Sequence, residues 1–198
     1  MKRILILANN DVGLYKFRKE LIQELLKKHY VFISLPNGEL VKELIQMGCQ
    51  FIDTPVDRRG INPMTDLQLL KRYKQIVQEI KPDLLITYTI KPNIYGGLMA
   101  RSMGIPYAIN ITGLGTAFQT DNFIRKLVCF LYKRAAKNAR VVFFENPGNR
   151  DLFLQLRLIQ PQQACILNGA GVNLDEYAFA PYPQDHKHIR FLFIGRVM

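Results

Sequence analysis

Several short stretches of this chain place amide, hydroxyl, cationic and glycine residues directly after apolar runs. The first is Asn9-Asn10-Asp11-Val12-Gly13-Leu14-Tyr15-Lys16-Phe17-Arg18. A glycine ahead of a helical pattern lets backbone N–H groups approach a phosphate, and Lys16 and Arg18 add positive charge. The same residues also suit a surface turn leading into a solvated helix face. With one glycine the stretch is not the three-glycine dinucleotide fingerprint, and the chain has no Walker-type lysine loop. This counts against nicotinamide, flavin and P-loop chemistry. Asp57-Arg58-Arg59-Gly60 is a basic loop open to either phosphate or solvent. Thr87–Asn93 and Asn110–Gly115 supply Lys91, Asn93, Asn110 and Thr112, with Gly113 and Gly115 permitting close backbone approach. Asn168-Gly169-Ala170-Gly171-Val172-Asn173 is a further glycine-containing loop on the same expected edge.

The elements that hold these stretches follow from the hydropathy pattern. Apolar runs predict strands over 3–8, 30–35, 49–54, 83–88, 107–111, 140–144 and 164–167. Helical patterns lie between them at about 15–28, 39–46, 65–80, 93–102, 122–138 and 148–158. Strands that are apolar on both faces and joined by helices imply a parallel sheet covered on both sides. The expected fold class is α/β, a doubly wound, Rossmann-like sheet whose ligands sit beyond the C-terminal strand ends. Residues 178–188, with Pro181 and Pro183, read as a linker. Residues 189–194 (IRFLFI), followed by Gly195-Arg196, read as the first strand of a second domain missing from the chain. The expected division is therefore 1–177, a linker at 178–188, and the start of a further domain at 189–198.

Bulk properties narrow the function classes. The net charge is +11 over 198 residues, which implies an anionic partner: nucleic acid, an anionic membrane surface or a phosphorylated substrate. No interleaved aromatic and basic platform supports nucleic acid. No apolar run is long enough to span a bilayer. The start, Met1-Lys2-Arg3 and five apolar residues, is too short for a secretion signal and reads as the first core strand. Cys49, Cys129 and Cys165 are far apart in apolar contexts and are expected to be buried free thiols of a cytoplasmic protein. His186 and His188 fall in the linker rather than in a metal-ligand spacing. The helix near 121–140 carries Phe123, Leu127, Phe130 and Leu131 toward one side, with Arg125, Lys126, Lys133, Arg134, Lys137 and Arg140 largely on the others. That pattern suits either docking on an anionic membrane or ordinary packing on the sheet with a solvated basic face.

GLYKFRKEL (13–21), TYTIKPNIYGG (87–97), NITGLGTAF (110–118), FFENPGNRDLF (143–153), LNGAGVNLDEY (167–177) and FLFIGR (191–196) together resemble the N-terminal domain of a family 4 retaining glycosyltransferase of the GT-B type. The similar subgroup extends undecaprenyl-diphosphate-linked sugars in bacterial capsule, O-antigen or glycan assembly. The resemblance implies two Rossmann-like domains facing across a cleft, the first holding the acceptor and the second a nucleotide-sugar donor, UDP-linked. It implies donor phosphate contacts from Gly13 and Arg196. With the first domain taken as the acceptor side, the strand-end positions make Lys16, Arg18, Lys91, Asn93, Asn110, Thr112 and Gly113 the expected acceptor-binding residues, and the basic amphipathic pattern makes Arg125, Lys126, Lys133, Arg134 and Lys137 the expected membrane surface. No bound metal or other cofactor is implied. The family's second phosphate-binding lysine and its Glu-x7-Glu element are absent from these residues, and no histidine follows the fourth or fifth strand, so catalytic residues stay unassigned. The expected function is transfer of a hexosyl or N-acetylhexosaminyl group, with retention, to a lipid-diphosphate-linked sugar. The expected location is the cytoplasmic face of the plasma membrane, as a peripheral protein. By itself this fragment is expected to be inactive. Rival readings are a sugar-nucleotide epimerase of similar architecture and a non-catalytic basic domain that binds membranes or polyanions.

Overall fold

Successive residues of each apolar run point to opposite faces of a strand, and every run but the last finds a place in one sheet. The computed structural model describes residues 1–57, 60, 62–115, 118, 123–181 and 191–195. The strands are β1 (Arg3–Leu7), β2 (Tyr30–Leu35), β3 (Gln50–Asp53), β4 (Leu84–Tyr88), β5 (Tyr107–Ile111), β6 (Val141–Phe144) and β7 (Ala164–Ile166). They pair in parallel in the order β3-β2-β1-β4-β5-β6-β7. The helices are α1 (Asp11–Leu26), α2 (Val41–Gln46), α3 (Pro63–Ile80), α4 (Gly97–Met103), α5 (Phe123–Ala136) and α6 (Pro147–Gln155).

Alternation along β1 divides the core. Ile4 and Ile6 face Leu14 and Ile22 of α1 and Val41 and Leu44 of α2. Leu5 and Leu7 join the other layer, with Tyr73 and Ile76 of α3, Met99 of α4, Tyr132 of α5 and Phe153 of α6. Chain order reverses between β1 and β4, so the loops after these two strands diverge and leave a crevice between them.

Several helix starts differ from the hydropathy reading, for local reasons. Helix α1 begins at Asp11 because the Asn10 side chain accepts the Gly13 N–H at 2.5 Å. Asn62 and Asn146 cap α3 and α6 in the same way, and Pro63 and Pro147 occupy the first helical position, where a missing N–H costs nothing. Gly13, Lys16 and Arg18 therefore lie in a helix and not in an open loop. The helix expected at 93–102 is preceded by a π-helical turn, Pro92–Gly96, leading directly into α4. A Cβ on Gly96 would come within 2.7 Å of Leu7 Cδ1, and one on Gly97 within 3.0 Å of the Ala135 carbonyl oxygen. The paired glycines let this turn wedge between the sheet and α5.

After β7 the chain returns to α1, where Glu176 pairs with Lys19 and Asn173 Nδ2 donates to Glu20 Oε1 at 3.3 Å. Of the expected linker only 178–181 is described, and it is exposed. Phe191, Leu192, Phe193 and Ile194 are exposed, with no sheet partner among the described residues. Arg58, Arg59, the histidines at 186 and 188, and Arg196 lie outside the described residues.

Candidate functional site

A cavity of about 710 Å³ opens at the point where strand order reverses, within the usual size range for small-molecule sites. Its wall is built from three strand ends. The segment after β1 contributes Asn9, Asn10 and the first turn of α1; β4 contributes Tyr88 and Thr89; β6 contributes Glu145. Thr112, Phe17, Arg18 and Ala170 complete it. Thr89 has a left-handed backbone (φ 73°) that only glycine adopts without cost; such strain is held in place by its surroundings and clusters at ligand sites.

The cap of α1 is self-satisfied. Asn10 Nδ2 donates to Asn9 Oδ1 at 2.7 Å while Asn10 Oδ1 takes the Gly13 N–H. A Cβ on Gly13 would lie 2.9 Å from Asn10 Oδ1. Gly13 thus lines the cavity, but its N–H is already used within the cap. Buried Asp11 accepts the Leu40 N–H at 2.7 Å and ties this loop to the one after β2.

Arg18 projects from α1 into the cavity wall and pairs with Glu145, its side chain 11% exposed and that of Glu145 24%. Its Nη1 donates to the Phe17 carbonyl at 2.9 Å, and its Cζ lies 5.1 Å from the centre of the Tyr88 ring. Burial pushes the Tyr88 hydroxyl above its ordinary pKa, which the neighbouring guanidinium partly offsets. The expectation that Lys16 and Arg18 together present free positive charge needs correction. Arg18 is neutralised by Glu145, and Lys16 is exposed and outside the described cavity wall. Among the described residues, every charged group in this wall is partnered.

Three other expected acceptor-side residues also stand elsewhere. Asn93 is 1% exposed and Asn110 is 6% exposed. Thr87 Oγ1 donates to Asn93 Oδ1 at 2.7 Å, Asn93 Nδ2 to the Asn110 carbonyl at 2.9 Å, and Asn110 Nδ2 to the Thr87 carbonyl at 3.3 Å. This ring fastens β4, β5 and the π-helical turn together, and both amides are buried outside the described cavity wall. Lys91 pairs at 2.6 Å with Asp66 of α3, which also accepts the Tyr95 hydroxyl at 2.8 Å. Burial first, and then the bond to Asp66, push the Tyr95 pKa up. Thr112 does line the cavity, and exposed Gly113 follows it.

Glu145 was not singled out by residue type. Its signal is positional: an acid at the end of β6, directly before the Asn146-Pro147 helix start, on the edge where a parallel sheet binds ligands.

Helix α5 presents a different surface. Phe123 is 78% and Phe130 54% exposed, with Leu127 beside them, while Tyr132, Ala135 and Ala136 are buried against the core. The apolar stripe at 123, 127 and 130 therefore faces solvent, and only Leu131 of that expected side packs inward. Lys126, Lys133, Arg134 and Lys137 are exposed around the stripe, with Arg134 Cζ 5.0 Å from the Phe130 ring centre; Arg125 is half-buried. Among the described residues no helix is long and apolar enough to cross a membrane. Cys49 is buried and its thiol is pushed up to about 11 by burial. Cys129 and Cys165 are only half-buried, in contrast to the expectation for all three.

Comparison with known proteins gives the same picture. The family model described as "Glycosyl transferase 4-like" matches residues 3–146. An N,N'-diacetylbacillosaminyl-diphospho-undecaprenol alpha-1,3-N-acetylgalactosaminyltransferase of Campylobacter jejuni is 28% identical over 191 residues, covering 93% of this chain and 50% of that protein. The chain thus spans about half the length of this curated relative. A glycosyltransferase from Rickettsia africae shares the fold with a TM-score of 0.68 and 19% identity, over 89% of this chain and 45% of that one. Anabaena HepE in complex with UDP and glucose does so with a TM-score of 0.68 and 14% identity, over 91% and 47%.

Proposed function

The chain belongs to the glycosyl transferase 4-like family, and from that premise we propose that it is the acceptor-side domain of a retaining, membrane-associated glycosyltransferase. The whole enzyme moves a hexosyl or N-acetylhexosaminyl group from a UDP-sugar onto a sugar carried by a polyprenyl diphosphate, without a metal ion. The observation that carries this reading is the cavity at the β1/β4 reversal, whose described wall mixes apolar surface with amide, hydroxyl and carboxylate groups and whose guanidinium is paired with Glu145. Such a wall suits a neutral sugar. The likeness to a transferase acting on a diphospho-undecaprenol-linked sugar supplies the substrate class.

In this reading the departing diphosphate collects negative charge in the transition state, and fixed dipoles and cations aimed at that charge lower the barrier. This chain offers the N-terminus of α1, where the Asp11 and Val12 N–H groups have no intrahelical acceptor while that of Gly13 is taken by Asn10, and Arg196. The remaining donor contacts come from a second domain, for which residues 189–198 are the opening segment. Since differential stabilisation needs both halves, these 198 residues alone turn over no sugar nucleotide. The outer face of α5 rests on the anionic inner leaflet, its aromatic residues at the headgroup boundary and its lysines and Arg134 toward lipid phosphates.

The test is a transfer assay on the longer protein that contains this chain, with a panel of UDP-sugars and a short-chain polyprenyl-diphosphate-linked sugar, with and without EDTA. The expected product carries one added hexose or N-acetylhexosamine in α-linkage, unaffected by the chelator. Epimerised donor with no transfer would overturn the reading.

A further inference from the structure

Glu145 has a hydrogen-bonding capacity that the fold does not use. One oxygen, Oε1, is occupied by Arg18. The other, Oε2, has no hydrogen-bond partner among the described residues, and Glu145 lines the cavity. Arg18 is itself fixed on three sides, by Glu145, by the Phe17 carbonyl and by the face of the buried Tyr88 ring. A guanidinium held in this way holds its carboxylate partner in one orientation.

From this geometry we infer that Glu145 Oε2 accepts a hydrogen bond from a hydroxyl, or from an N-acetyl amide N–H, of the acceptor sugar in the cavity. Glu145 is thereby a specificity-determining contact, and Arg18 is the residue that positions it. The inference rests on the reading of the cavity as the acceptor site. The chemistry selects a sugar over a phosphate at this spot. A carboxylate repels an anion but forms strong, charge-assisted bonds with neutral O–H and N–H donors, and Arg18 has no second charge to offer an anion. A site built to bond one hydroxyl rejects an analogue that lacks it, because the site's own polar group is then left unpaired.

The experiment is a titration of the isotope-labelled 198-residue chain, followed by amide NMR, with methyl α- and β-glycosides of glucose, galactose and their 2-acetamido counterparts. Each is accompanied by its singly deoxygenated analogues. One glycoside is expected to shift the amides of residues 143–146 together with those of Asn10 and Thr112. Removal of one particular hydroxyl, or of the acetamido group, should weaken binding about ten-fold or more. Glu145→Gln should abolish that discrimination and leave the weaker analogue's affinity unchanged, whereas a purely structural role for Glu145 would weaken all analogues alike. Arg18→Lys keeps the charge but loses the fork, and should reduce the same discrimination selectively. If a glycoside binds in the cavity but Glu145→Gln retains the full discrimination, the assignment of Glu145 is wrong while the acceptor site stands. If no glycoside shifts any amide of the cavity wall, the acceptor-site reading fails and the inference falls with it.

Discussion

Two polar clusters lie a few residues apart at the C-terminal edge of the same sheet, and they do opposite things. Thr87, Asn93 and Asn110 form a buried ring in which each side chain bonds to another member. Arg18, Glu145 and Tyr88 form an open cluster, with one carboxylate oxygen left over and facing a cavity. Both sit where an α/β fold binds ligands, so position alone does not separate them. What separates them is exposure: the ring is buried in the sheet and builds structure, whereas Glu145 stands in a cavity wall with a carboxylate oxygen left over and can bind.

Breaking the closed ring should cost the most. Asn93→Ala leaves the Asn110 carbonyl and the Thr87 hydroxyl buried without their partner. It is expected to lower stability by about 3 kcal/mol, measured by urea denaturation. Refolded protein should keep its discrimination among glycosides, and selective loss of that discrimination would merge the two clusters into one. Gly96→Ala attacks the same region by crowding, since its Cβ would press on Leu7 and Thr87; a loss of about 2 kcal/mol is expected. Opening the second cluster with Arg18→Leu should cost somewhat less, about 1–2 kcal/mol. Glu145 keeps some water, and its exposure softens the penalty. If Arg18→Leu proves more damaging than Asn93→Ala, the contrast between a structural and a functional cluster is misplaced.

A smaller effect comes from Cys49 on the α1/α2 face. Its folded pKa of about 11 stands above the ordinary 9.0, so the unfolded chain loses this proton first as pH rises. The thiol's contribution is fully present below about pH 9 and is lost as pH climbs toward 11. Comparison of urea midpoints at pH 8 and pH 10.5 should show a steeper decline for the native chain than for Cys49→Ala; parallel declines would contradict the burial argument. The smallest stability change belongs to α5. Phe130→Ser should alter stability by no more than about 0.5 kcal/mol, because the ring is exposed. It should nevertheless reduce flotation with anionic liposomes at low salt. Unchanged flotation would remove the membrane role from this face.

The strands were legible because burial on both faces writes them as unbroken apolar runs, and both Tyr30–Leu35 and Tyr107–Ile111 match the expected bounds. Helix starts were misread where a capping asparagine precedes a proline. Hydropathy does not register Asn62-Pro63 or Asn146-Pro147 as helix, but capping chemistry does. The site was legible only as a set of loops. Arg18 and Glu145 are 127 positions apart, and nothing local announces that α1 and the end of β6 converge; only the strand order brings them together. Asn93 and Asn110 looked like ligand contacts because their type and place are right, but their burial depends on the π-helical turn that Gly96 and Gly97 allow. The stripe on α5 was visible by spacing, while its direction was set by Tyr132, Ala135 and Ala136, which claim the inner face.

The central claim is that the cavity at the β1/β4 reversal receives the lipid-linked acceptor. The most direct test is hydrogen–deuterium exchange of this chain in nanodiscs of anionic lipid, with and without a polyprenyl-diphosphate-linked sugar. Slowed exchange is expected at 9–14, 88–90, 112–113 and 145–147 when the acceptor is present, over and above any slowing at 123–130 caused by lipid alone. Protection confined to α5, with the cavity segments unchanged by the acceptor, would contradict the account.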